Sequence, residues 1–347
     1  MSLLGHGLFV RAQSLFLAFL LSVVLTGCGG NKDEPSVARD SASQLSQCES
    51  DTKQAVTANT EKQMNFYRQY GSTLPKPSHQ AGFFPGTNGR AIVLVHGFIS
   101  SPESMNELAT SLNGAGYTVI TPLLTGFGDG PDAANAADKG DWEMAVNDAI
   151  QIAGLCHPDV TVVAHSLGTS VVTLGLKDGR DSNVSRVVLL APFFKTHTKW
   201  MDWLSGILAI GSDTIYLSTV EKYLGIDAYE MFDLERPKEG ELDPYLPVKA
   251  MREVISLQDV FSTESEQKIK VPVMAFITEA DSIVDGKFAT TYLSNHFERS
   301  QFVVYPENEK IEHSFQTRKV NPNYDLMVTQ ILAFVAGDAE LKAAAAK

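Results

Sequence analysis

Ser166 stands within Ala164-His165-Ser166-Leu167-Gly168. The apolar run 160–164 precedes it, and a helix-permissive stretch, 167–176, follows. A serine between a buried strand and a helix start is where a sharp turn can lift a hydroxyl above a sheet. Small side chains at Ala164 and Gly168 allow such a turn, and the helix N-terminus behind it favours developing negative charge. The chemistry that fits is attack on a carbonyl carbon through an acyl-enzyme. A serine before a helix also serves as a plain cap, so the motif requires partners. His96-Gly97-Phe98, directly after the apolar run 91–95, is a second turn at a strand end. His96 reads as a structural residue of that turn more readily than as a proton carrier. No Cys/His cluster has metal-ligand spacing.

The elements that must position these residues alternate in period. Continuous apolar runs at 91–95, 117–120, 160–164 and 187–190 suit strands buried on both faces. Between them lie amphipathic stretches. Ser101-Pro102-Glu103 predicts a helix opened by a cap and an N-terminal proline. Trp142, Ala145, Val146, Ala149, Ile150 and Ala153 recur at helical spacing. The alternation stops at 195–269, where Trp200, Trp203, Leu204, Ile207 and Tyr216 fall in short helical patterns broken by Gly and Pro. It resumes with a strand at 271–277, a helix at 288–295, a strand at 301–305 and a last helix at 325–335. Strands alternating with helices imply a parallel sheet. The interruption reads as an inserted cap over one edge.

Together with the loop Thr125-Gly126-Phe127-Gly128-Asp129-Gly130 and Trp142, these motifs resemble the α/β-hydrolase family, in the branch of bacterial carboxylesterases and monoacylglycerol lipases. The resemblance covers roughly 90–335, the cap by position only. It implies an α/β fold, a mostly parallel doubly wound sheet with an inserted helical cap: catalytic domain 91–194 and 270–347, cap 195–269. It implies a triad in the order Ser, acid, His. The family's acid position falls on Asp281, with Glu279 and Asp285 as rivals, and its histidine on His313, with His296 as the other candidate. The backbone N–H groups of Phe98 and Leu167 would form the oxyanion hole. Ser166 would attack, His313 would carry the proton, and Asp281 would fix the imidazole. No cofactor is needed. Trp142, His197, Trp200 and Trp203 are candidate substrate contacts. The chain departs from the family pattern in having Ala164, Thr278 and Glu312 where glycine is usual. An ester substrate, small molecule or lipid, is the first reading. A thioesterase, an amidase or peptidase, and a binding-only lipoprotein are the alternatives. A dehalogenase would need an Asp nucleophile.

The chain has 347 residues, 44% hydrophobic and 20% charged, enough for one large globular domain. Residues 1–27 carry one charge, Arg11, and an apolar run at 14–25, too short for a comfortable bilayer span. The run ends in Leu25-Thr26-Gly27-Cys28, which resembles a bacterial lipobox. That resemblance implies acylation of Cys28, a membrane-anchored exported lipoprotein and, in a Gram-negative cell, the outer membrane. Two or three acyl chains at roughly 0.8 kcal/mol per buried CH₂ give lasting attachment. Residues 28–45 read as a flexible tether, and 46–90 as a helical extension from about Gln47 to Tyr70 with first strands. Loss of Arg11 would take the net charge from −13 to −14. An acidic surface disfavours nucleic acid as a partner. Cys48 and Cys156 remain, and an oxidising compartment would permit a disulfide between them; two separate buried thiols are the alternative.

Overall fold

A computed structural model describes residues 36–71, 73–180, 183–197, 211–225, 227, 229, 236–237, 244–262 and 268–337. The compact unit that carries the site spans Ala42–Lys347. Its centre is a seven-stranded sheet: β1 (Gly82–Phe84), β2 (Ala91–Val95), β3 (Thr118–Thr121), β4 (Val160–His165), β5 (Val184–Leu190), β8 (Val273–Thr278) and β9 (Ser300–Tyr305). The spatial order is β1-β3-β2-β4-β5-β8-β9. Only β1 is antiparallel to its neighbour; the other pairings in this sheet are parallel. Every residue of β2, β4 and β8 is buried, which is why these strands read as unbroken apolar runs rather than alternating ones.

Helices α2 (Asn106–Gly114), α4 (Lys139–Gly154), α5 (Leu167–Lys177), α8 (Gly286–His296) and α9 (Tyr324–Ala336) flank this sheet, while α3 (Pro131–Ala136) packs against residues 245–262 of the cap. The buried face of α4 is the one its spacing predicted: Trp142, Ala145, Val146, Ala149, Ile150 and Ala153. Its start is fixed by a capping box between Asp138 and Asp141. The segment after Ser101 departs from expectation. Pro102–Met105 is a 3-10 turn that precedes α2, and the Ser101 side chain makes no capping bond.

Helix α1 runs Ser36–Tyr70, so it starts ahead of the expected Gln47 and takes in part of the segment read as tether. After Pro35 nothing in that stretch breaks a helix: it holds neither glycine nor proline. Cys48 of α1 is disulfide-bonded to Cys156, which lies just past α4. No described helix is long and apolar enough to cross a membrane.

Between β5 and β8 the described part of the cap is β6 (Thr214–Tyr216), α6 (Leu217–Leu224), β7 (Tyr245–Pro247) and α7 (Val248–Ser262). β6 and β7 pair antiparallel as a separate two-stranded sheet, where only helical pieces were expected. Three-residue strands give no periodicity to read. Ile215, Leu217, Val220, Leu246, Val248 and Met251 form a second apolar cluster, and Phe98 and Ile99 of the catalytic domain pack against it.

Candidate active site

β4 ends at His165 and α5 begins at Leu167, leaving Ser166 alone in the turn at φ 51°, ψ −122°. A non-glycine residue there is strained, and such strain persists where surrounding structure imposes it. The crossing behind it is tight: a Cβ added to Gly168 would lie 2.7 Å from the His96 carbonyl oxygen. Only glycine lets α5 start so close to the turn after β2. Thr169 braces the elbow, its hydroxyl donating to the Ser166 carbonyl at 2.6 Å and accepting the Phe193 N–H at 2.9 Å.

The loops after β8 and β9 deliver the other two groups. Ser166 Oγ–H donates to His313 Nε2 at 2.8 Å, and His313 Nδ1–H donates to Asp281 Oδ2 at 2.7 Å. Asp281 Oδ1 accepts the N–H groups of Ile283 (2.8 Å) and Val284 (3.0 Å). Burial alone would raise the Asp281 carboxyl, but His313 and these N–H donors outweigh it and hold it below the usual carboxylate range. Thr278 ties the two loops together, its hydroxyl donating to the Ile311 carbonyl at 2.6 Å. That bond gives the family departure at Thr278 a local use. Glu312 is exposed.

The rivals lie elsewhere. Asp285 caps α8, accepting the Phe288 N–H at 2.9 Å. Glu279 is exposed and accepts the Glu307 N–H at 3.3 Å. His296 ends α8, where its ring stacks on Tyr292 at 3.9 Å.

His96 is buried, with Nδ1–H donating to the Gly97 carbonyl at 2.8 Å and Nε2 accepting the Leu124 N–H at 3.0 Å. Both nitrogens are spoken for, so it is a structural residue of the turn after β2. Burial pushes it down to about 4. His165 donates from Nε2 to the His313 carbonyl at 3.1 Å, its ring 5.0 Å from the His313 ring. Burial, reinforced by His313, pushes it down to about 3. It stays neutral and adds no positive charge beside His313.

Phe98 and Leu167 both border a cavity of about 360 Å³ that opens onto Ser166 and His313. Leu167 is the first residue of α5, where an N–H has no acceptor within the helix. The cap lines one wall with Leu217, Leu246, Met251, Val254 and Ile255; Ser100, Ser104, Gln316, Thr317 and Lys319 add polar groups. Ile99, at φ 49°, also borders it, a β-branched residue in the left-handed region. Sequence reading missed the lining residues because no motif marks them. Ile99 carries no signal at all until its backbone angle is known.

Of the four predicted substrate contacts, the two that are described, Trp142 and His197, do not line this cavity. Trp142 is fully buried, its Nε1–H donating to the Thr125 carbonyl at 3.1 Å and its ring stacked on Phe127 at 5.5 Å. It anchors α4 to the loop after β3. His197 borders a separate cavity of about 750 Å³, with Thr278, Asp281, Asp285 and Lys287. Its backbone bond to Ile283 sets it there. Trp200, Trp203 and Cys28 lie outside the described residues. No group of His, Cys, Asp and Glu that could hold a metal occurs among the described residues.

Residues 86–308 match the Hydrolase_4 family, described as serine aminopeptidase, S33. The chain belongs to this family. The S33 match takes in the turn after β2, the turn at Ser166 and the loop after β8, and stops just short of His313. A thermostable monoacylglycerol lipase of Bacillus sp. strain H-257 is 35% identical over 66 residues, 19% of this chain and 26% of that lipase; the match thus spans about a quarter of it. A Synechocystis protein provisionally described as a non-heme chloroperoxidase is 24% identical over 248 residues, 67% of this chain and 89% of its own. Among solved structures, a soluble variant of monoglyceride lipase from Saccharomyces cerevisiae superposes with a TM-score of 0.57 at 17% identity, covering 74% of this chain and 91% of that one. The fold is that of the α/β-hydrolases.

Proposed function

We propose that this S33-family hydrolase cleaves carboxylic esters, as a carboxylesterase or lipase acting through an acyl-enzyme on Ser166. One observation carries the reading: His313 bridges Ser166 and Asp281 at 2.8 and 2.7 Å, at a cavity whose described cap lining is mainly apolar. Ser166 attacks the carbonyl, with its proton passing to His313 Nε2. Asp281 stabilises the imidazolium. The N–H groups of Phe98 and Leu167 hold the developing oxyanion. His313 then protonates the leaving alcohol, and water repeats the sequence on the acyl-enzyme. At about 360 Å³ the cavity lies near the small end of ligand pockets, roughly 300–1,000 Å³. That suits a medium-length acyl chain against the cap, including one from a monoacylglycerol-type ester.

The family description makes peptide cleavage the competing reading. An aminopeptidase must neutralise its substrate's terminal ammonium, and among the described residues that line the cavity there is no Asp or Glu. The lining therefore favours a neutral ester. We further propose that Cys28 carries the lipid of an exported lipoprotein. Incorporation of labelled palmitate, lost in Cys28→Ala, tests that separately.

The deciding experiment is hydrolysis of p-nitrophenyl esters from acetate to palmitate by protein starting after Cys28, beside Ser166→Ala. Loss of the nucleophile should cost on the order of 10⁶ in turnover. Folded wild-type protein inert on every ester, or equal activity in the variant, would overturn the proposal. Activity on aminoacyl amides alone would favour the peptidase reading.

A further inference from the structure

Helix α1 lies wholly before the family-matched segment 86–308, yet its buried face reaches the loop that supports the oxyanion-side turn. Thr52, Val56, Gln63, Met64 and Tyr67 form that face. Gln63 Nε2–H donates to the Leu123 carbonyl at 2.9 Å. The Tyr67 hydroxyl donates to the Phe127 carbonyl at 2.6 Å and accepts the Gly126 N–H at 3.0 Å. One side chain thus bonds the backbone of two successive residues in a loop that has no ladder of its own. Burial raises the Tyr67 hydroxyl well above its ordinary value, so it remains a donor. Gly126 sits at φ +90°, and a Cβ there would meet Ala133 and Ala137 at 2.7 Å. The loop conformation is demanding and is held from outside.

The loop passes this constraint on by two routes. Leu124 N–H donates to His96 Nε2, and His96 Nδ1–H donates to the Gly97 carbonyl. That second bond fixes the peptide that presents the Phe98 N–H. In parallel, the Phe127 ring meets the Phe98 ring edge-on, with centroids 5.4 Å apart at 84°, and Trp142 backs Phe127 from behind.

We infer that Tyr67 and Gln63 are positioning residues for the hydrolytic step, through which α1 holds the loop at 123–127 and hence the Phe98 N–H in its oxyanion-binding place. The inference rests on the oxyanion role given to Phe98 under the proposed function. A donor that is displaced, not removed, forfeits part of the 10²–10³ that one such donor contributes, so Tyr67→Phe should lower kcat about 10-fold. KM should hardly change, because no residue of the loop at 123–127 lines the acyl pocket.

The test compares Tyr67→Phe and Gln63→Leu with Val56→Ala, which loosens the packing of α1 and leaves its hydrogen bonds to the loop in place. Each is assayed for kcat, KM and thermal midpoint on one p-nitrophenyl ester. Each is also assayed for inhibition by a trifluoromethyl ketone, whose hemiketal oxyanion probes the same donors. The expected result is a fall in kcat matched by equal weakening of the ketone in Tyr67→Phe and, more mildly, in Gln63→Leu. Val56→Ala should lose thermal stability only. If Tyr67→Phe does not fold, Gln63→Leu alone carries the comparison. Unchanged kcat in the loop-contacting variants, or an equal fall in Val56→Ala, overturns the inference. If Ser166→Ala still hydrolyses the ester, the proposed function has failed instead, whatever Tyr67 does.

Discussion

Replacing Asp281 by asparagine should disable the site without disturbing its shape. The backbone dictates how the new amide sits. Ile283 and Val284 point N–H groups at one side-chain oxygen, 2.8 and 3.0 Å away. An asparagine must place its oxygen there, which turns its NH₂ toward His313 Nδ1, 2.7 Å from the present carboxylate oxygen. A donor facing Nδ1 makes that nitrogen the acceptor and moves the ring proton to Nε2. His313 can then no longer take the Ser166 proton across their 2.8 Å bond. In serine hydrolases built this way, the wrong tautomer costs about 10⁴ in kcat, close to 5 kcal/mol of transition-state stabilisation. The assay is steady-state hydrolysis of a p-nitrophenyl ester by wild type and Asp281→Asn, with thermal melting as a check on folding. A folded variant that loses less than about 10-fold would refute the account of Asp281 as the group that sets the tautomer.

Stability should fall with acid in a particular window. His96 and His165, ordinarily near 6.5, are pushed down by burial to about 4 and about 3. Below about 6.5 the unfolded chain takes up protons that the folded chain refuses, so stability declines as pH falls toward those values. The lowered Asp281 carboxyl adds its loss lower still. Denaturant melts at pH 7 and 4.5 should show this, and a His165→Asn variant with an undiminished pH slope would contradict it. Cys156→Ser should destabilise the fold by about 4–5 kcal/mol, since the disulfide closes a sequence separation of 108 residues; a calorimetric midpoint equal to wild type would deny the bond a stabilising part. Gln316, buried at the cavity wall with no partner for its side-chain carbonyl among the described residues, should accept a hydrogen bond from a hydroxyl on the leaving alcohol. Gln316→Leu should cost about 3–10-fold in kcat/KM on a glycerol monoester and little on a p-nitrophenyl ester of the same acid. Equal losses on both would refute that role.

Much of the site was legible in sequence because its signals are local. A strand, a serine with Ala164 and Gly168 two positions to either side, and a helix form the local pattern of an elbow, and α4 reveals its buried face by spacing alone. The order of elements also limits which acid and histidine can come after β8 and β9. What chain order could not decide was distance. Glu279, Asp281 and Asp285 fall within seven positions of one another, and only the loop's path brings Asp281 to His313 while Asp285 turns away to cap α8. The cap was least legible, since its lining is drawn from short pieces with no period, and Trp142 and His197 had the chemistry of contacts but not the place. The part α1 plays was wholly out of reach. Its links to the loop join residues 59 and 60 positions apart, and a hydrogen bond between such distant positions leaves no mark on the local pattern of either. The sequence by itself determined the elements and the reactive groups, because propensity and periodicity act between near neighbours. The tertiary structure alone decided which of those groups meet, because packing acts between positions the chain keeps far apart.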